Sequence, residues 1–482
     1  MKAIRIVVAL ILLIVPSVVR GVWFYQGIYS RTAPIPTPDY VSLVMPTPPL
    51  ATPQAEQPSA PTRSKTVLVD SAHKNVFDFT ELDIAARALA GLGAHLEVVA
   101  PAPSPTSISS SNSSSSNTAP SPSPSSLNTM LKYADAFVVI APNAPFTSDE
   151  VQEVQRFVEH GGRLLVIADP TRGSRFDSVT FVNSLVIPFD LTFSDDYLYN
   201  LIEYEGNYRN VLFHKFAADP LTEGLGTVAL YAAHSVGTTT GTPLVQGDEN
   251  TLSSRTDTGG HLAALALSAN QQVLALGDLT FLTSPYYQVA DNAVLINRLA
   301  QFLLGGERTR ALADFPFVFS QPVVISPTRN VTLTADLATS LSKLQSSLTA
   351  LDISVSMTAE PLKNSDLIVL GQYAPSNDLL PYLKPFISTL PEVITSTLGK
   401  STSISVPGVG NLARANTGVM LFSRTDERAT LILLADDSDT LSKLMGVLAS
   451  GDTSACAIQE QMALCNLSKP KPEPSSSSDQ RP

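Results

Sequence analysis

The 482-residue sequence predicts an α/β protein: a doubly wound, mainly parallel sheet, followed by a second, smaller α/β domain and preceded by a membrane helix. Three observations lead there. Apolar runs of strand length alternate with amphipathic helical stretches from Val67 onward, the pattern of a parallel sheet with helices on both faces. Three of those runs end on an aspartate: Thr66-Val67-Leu68-Val69-Asp70, Leu164-Leu165-Val166-Ile167-Ala168-Asp169 and Val273-Leu274-Ala275-Leu276-Gly277-Asp278. Helical stretches close on Gly161-Gly162, where glycine takes the left-handed cap at little cost, and on Gly305-Gly306.

Element by element, a first domain over 65–306 reads as strand 67–69, helix 80–90 and strand 96–99. Strand 136–140 follows, then helix 148–160 with Val151, Val154, Phe157 and Val158 inward, and strand 164–167. A Ser/Pro-rich insert over 101–126 interrupts this alternation and reads as a disordered loop. Residues 176–272 are less regular, with aromatic clusters at 189–193 and 197–208. Strand 273–276 and helix 292–304 complete the domain, and Glu307-Arg308-Thr309-Arg310 marks its end. The second domain, 315–466, reads as an extended stretch 318–325, helix 337–351, strand 367–370 and helix 379–387. Strands 419–422 and 431–435 and helix 441–448 finish it. It contains no histidine, so it is a poor place to look for acid–base or metal chemistry. The tail, 467–482, reads as disordered.

Charge and the N-terminus set the expected surroundings. The net charge of −12, from 31 basic and 43 acidic residues, repels phosphate backbones and argues against a nucleic-acid partner. Lys2 and Arg5 precede an apolar run over 6–15, and Trp23, Phe24, Tyr25 and Tyr29 follow it like an interfacial belt. Residues 17–21, Ser-Val-Val-Arg-Gly, lack a small-x-small cleavage pattern. Residues 1–30 therefore read as an uncleaved signal anchor and 31–64 as a Pro-rich linker. The expectation is a single-pass cell-membrane protein with its bulk extracytoplasmic. Cys456 and Cys465 fit that oxidising compartment and are a candidate disulfide. Continuous helix would hold their Cα atoms about 13 Å apart, so a bridge requires the intervening chain to bend.

Four stretches carry a family resemblance: Leu68-Val69-Asp70-Ser71-Ala72-His73, Phe146-Thr147-Ser148-Asp149-Glu150, the Gly161-to-Pro170 strand, and Gly277-Asp278-Leu279-Thr280-Phe281-Leu282 followed by Asp291-Asn292. On these, residues 65–305 resemble the class I glutamine-amidotransferase-like fold, with its flavodoxin-like winding. More closely they resemble its non-catalytic gliding-motility and intraflagellar-transport auxiliary domains, and membrane-anchored bacterial domains of unknown function. The resemblance implies an auxiliary module with a protein partner, in an envelope or ABC-transport-associated complex. Catalytic members carry a nucleophilic cysteine at the turn after the glycine-led strand, where this chain has Ala168, Asp169 and Pro170. Without a thiolate there is no acyl-enzyme route.

Ligands of open parallel sheets bind outside the carboxyl ends of the strands, which makes Asp70, His73, Asn75, Asp169, Asp278 and Asn292 the candidate ligand-binding residues, with Asn200 and Asn207 at the same edge. Two uses remain open: a small polar or glycan-like ligand, or capping of the following turns by the carboxylates. The rival class is a metal-assisted hydrolase of an extracytoplasmic, glycan-like substrate using Asp70, His73, Asp169 and Asp278. No cofactor signature is complete. Gly408-Val409-Gly410 precedes no helix start, and Gly399-Lys400-Ser401 lacks the earlier glycine of a phosphate loop. Ala233-His234-Ser235-Val236-Gly237 imitates a hydrolase elbow, but alanine replaces its first glycine and a threonine-rich stretch follows. Tyr197, Tyr199, Tyr204 and Tyr208, with Phe213 and Phe216, read either as sugar-stacking rings or as rings packed on the sheet.

Overall fold

The structure is a computed structural model that describes residues 14–15, 19, 64–99, 126–172, 178–256, 259–358, 364–373, 377–387, 403–406, 410–425 and 427–468. The chain divides into two units, Met1–Thr62 and Arg63–Pro482. In the first, Ile14, Val15 and Val19 are helical and exposed. The structure gives no transmembrane span to the signal anchor expected over 1–30, most of which lies outside the described residues. Among the described residues no helix is long and apolar enough to cross a membrane, a crossing that takes about 20 consecutive apolar residues. Most of the Pro-rich linker, the Ser-rich insert and the tail lie outside the described residues.

The second unit is mixed α/β, with two parallel-rich sheets. Its first lobe runs through β1 (Lys65–Asp70), α1 (Asp83–Gly91), β2 (Ala94–Val99), α2 (Ser126–Leu131), β3 (Ala136–Ile140), α3 (Ser148–Glu159), β4 (Arg163–Ile167) and α4 (Ser178–Val186). Short strands then follow in close succession: β5 (Leu191–Phe193), β6 (Leu198–Asn200), β7 (Asn210–Phe213), β8 (Lys215–Phe216) and β9 (Val228–Tyr231). The run continues with β10 (Val236–Thr238), β11 (Thr242–Gln246), β12 (Thr251–Ser253) and β13 (Ala263–Leu267), before β14 (Val273–Leu276) and α5 (Asn292–Leu304). Along the main sheet the order is β2-β1-β3-β4-β14-β13-β10-β5. The pairs from β2 to β14 are parallel, and those from β14 to β5 antiparallel.

Side chains that alternate along a strand emerge on opposite faces, and both faces here are covered. Val67, Val69, Val138, Ile140, Leu165, Ile167 and Leu276 pack with Leu89 of α1 and Leu295 and Leu299 of α5. Leu68, Phe137, Val139, Leu164, Val166 and Ala275 pack with Leu127, Val154, Phe157, Val158 and Leu185 of α2, α3 and α4. Burial on both faces accounts for the unbroken apolar runs. The region read as irregular from sequence holds β5 to β13, whose short lengths and register shifts within β11–β13 leave no alternation long enough to read.

The second lobe has the order β16-β15-β17-β21-β20-β23-β22. Its strands are β15 (Val323–Pro327), β16 (Val355–Met357), β17 (Asp366–Gln372), β20 (Thr417–Arg424), β21 (Ala429–Ala435), β22 (Cys456–Ile458) and β23 (Met462–Asn466), with β18 (Ser403–Val406) and β19 (Gly410–Ala413) as a separate hairpin. Helices α6 (Ala335–Thr349) and α8 (Ser438–Ser450) cover one face through Leu341, Leu344, Leu441 and Leu444; α7 (Leu380–Ile387) covers the other through Leu383 and Phe386. Cys456 and Cys465 are register partners in the β22–β23 hairpin and are joined by a disulfide.

Residues 307–314 stitch the lobes together. The Arg310 guanidinium donates to the carbonyls of Lys132 and Tyr133, the Thr309 N–H to His160 O (2.7 Å), and the Leu312 N–H to Glu460 O (3.0 Å). Gly161, at φ +86°, caps α3 in the left-handed region, and a Cβ there would lie 2.2 Å from Glu307 O.

Candidate functional site

The three aspartates stand at the carboxyl ends of β1, β4 and β14, and the strand order decides which of them meet. β4 and β14 are neighbours in register, Ile167 opposite Leu276, so Asp169 and Asp278 come together. β1 is separated from β4 by β3, a displacement of about 10 Å at ordinary strand spacing. The candidate residues therefore form separate clusters.

In the first cluster, the His73 ring lies between two carboxylates. Nδ1 donates to Asp70, 3.0 Å from each oxygen, and Nε2 stands 3.5 Å from Glu150 Oε2. The ring stacks on Phe146 at 3.6 Å between centroids. Burial opposes protonation of the imidazole, but its bonds to Asp70 and Glu150 and their charges outweigh it and raise its pKa to about 9. The bond to His73 is in turn the main reason that Glu150 is lowered to about 2. Glu150 is also the third residue of the α3 capping box, accepting from the Thr147 N–H and hydroxyl at 2.8 Å each. Asn75 braces the same loop, with Oδ1 accepting from His73 N and Nδ2 donating to Ile140 O.

The second cluster surrounds Asp169 and Asp278, both buried. Asp169 Oδ1 accepts from the Thr171 N–H and hydroxyl, and Oδ2 from the Leu279 N–H (3.3 Å) and Thr280 hydroxyl (3.4 Å). Arg172 bridges Asp169 (3.4 Å) and Glu81 (2.6 Å). Asp278 accepts three backbone N–H groups, from Tyr231, Thr280 and Phe281, at 2.9, 2.7 and 3.2 Å. Its complete burial, followed by the neighbouring charge of Asp169, holds its carboxyl well above the usual range.

Asn292 belongs to neither cluster. It clasps β9 by a two-way bond with Ala229 and donates to Tyr286 O. Asn200 holds its own loop through Asp248, Thr251, Ile202 and Glu203, and Asn207 caps the turn at Arg209. Among the described residues, no group of three or more His, Cys, Asp or Glu side chains is arranged to hold a metal ion.

The elbow-like motif leads into β10, not into a helix. Ser235 is tied to Asp196 through both N–H and hydroxyl, at 2.9 and 2.8 Å. His234 is buried, and burial lowers its pKa. The aromatic run divides: Phe213 enters the core and Phe216 packs against it, whereas Tyr204 and Tyr208 are exposed. Sequence reasoning left out Glu150, Arg172 and Glu81 as partners. The Thr147-x-x-Glu150 spacing announces a cap, but nothing in it tells of His73 at the end of the neighbouring strand.

No family model matches this chain, and no curated protein does. Among solved structures, it is similar to the mmIFT52 N-terminal domain at 13% identity, covering 49% of this chain and 96% of that one, with a TM-score of 0.38. It is also similar to a ThuA-like protein from Bacteroides uniformis at 12% identity, covering 52% of this chain and 94% of that one, with a TM-score of 0.31. At these scores the strand order, not the likeness, describes the fold.

Proposed function

We propose that this chain is a non-catalytic, extracytoplasmic binding or auxiliary module. Its first lobe is then a doubly wound sheet of the amidotransferase-like kind whose carboxyl edge has become internal structure. One observation carries this: each carboxylate delivered to that edge is satisfied from within the chain. Asp70 is held by His73, Asp169 by Arg172 and the 279–280 turn, and Asp278 by three amides. A catalytic acid or base needs a position open to substrate, and these groups are buried against their partners. The β2-β1-β3-β4-β14 order supports the flavodoxin-like winding. The Cys456–Cys465 disulfide supports an oxidising compartment outside the cytoplasm, where an auxiliary role in an envelope complex fits.

The test is turnover and metal content of the purified full chain beside its His73→Ala variant. The expected result is no hydrolysis of glutamine, ester or glycoside substrates and no stoichiometric metal in either protein. Hydrolysis, or one equivalent of zinc or manganese, that disappears in His73→Ala would overturn the proposal.

A further inference from the structure

We draw no further inference here: the strongest candidate, the surface patch made by the exposed Leu201 and Ile202 at the start of the loop between β6 and β7, with the exposed Tyr204 and Tyr208 of the same loop, is an unpartnered apolar face, and nothing in the structure shows what covers it.

Discussion

At the scale of single residues, His73 is the clearest energetic feature. Its pKa is raised from 6.5 to about 9 in the fold, so its contribution is fully present below 6.5 and is lost as pH rises through 9. Glu150 runs the other way: lowered from 4.5 to about 2, it contributes above 4.5 and loses that contribution as pH falls through 2. Denaturation measured across pH should show wild-type stability declining between pH 6.5 and 9, and His73→Gln should be less stable by about 3 kcal/mol at pH 6, with that decline flattened. Asp278 makes a second test. Asp278→Ala leaves three N–H groups, two of them buried, without their acceptor and should cost about 3 kcal/mol, while Asp278→Asn, which keeps one acceptor oxygen, should cost about half. These aspartates were legible as strand-end residues because each closes an apolar run. Of the partners, Arg172 stands only three residues after Asp169, whereas Glu150 reaches His73 through adjacency of elements, which leaves no spacing to find.

At the scale of elements, the longer strands and helices were readable and the short ones were not. Strands 136–140 and 273–276 and helix 292–304 occupy Ala136–Ile140, Val273–Leu276 and Asn292–Leu304, since burial on both faces demands unbroken apolar runs. The 318–325 stretch is strand only from Val323. Strand β10 owes its place to a close approach that no periodicity encodes: the His234 N–H donates to Gly277 O at 2.8 Å, and a Cβ on Gly277 would lie 2.1 Å from His234 O. Gly277→Ala must push the 231–236 segment off the end of β14, at a cost above about 2 kcal/mol. Urea denaturation reads that loss, and a neutral result would mean that the contact is loose.

At the scale of the whole molecule, the lobes meet through the 307–314 connection and the disulfide hairpin. Closing a loop between cysteines nine apart in sequence stabilises by about 3 kcal/mol in the chain-entropy account. The Cys456→Ser, Cys465→Ser double variant should fall by roughly that amount in urea denaturation. Hydrogen exchange should quicken at Leu312, whose N–H is held by Glu460 O on the hairpin turn. Unchanged exchange there would show that the hairpin keeps its place without the bridge.

By itself the amino-acid sequence determined the mixed α/β class, the buried strands and the absence of a thiol at the turn after β4, because composition and periodicity are local properties of the chain. Tertiary structure alone decided that Asp169 meets Asp278 and that Glu150 closes on the His73 ring. Those outcomes follow from strand order, which brings together residues far apart in the chain, and no local pattern records such distances.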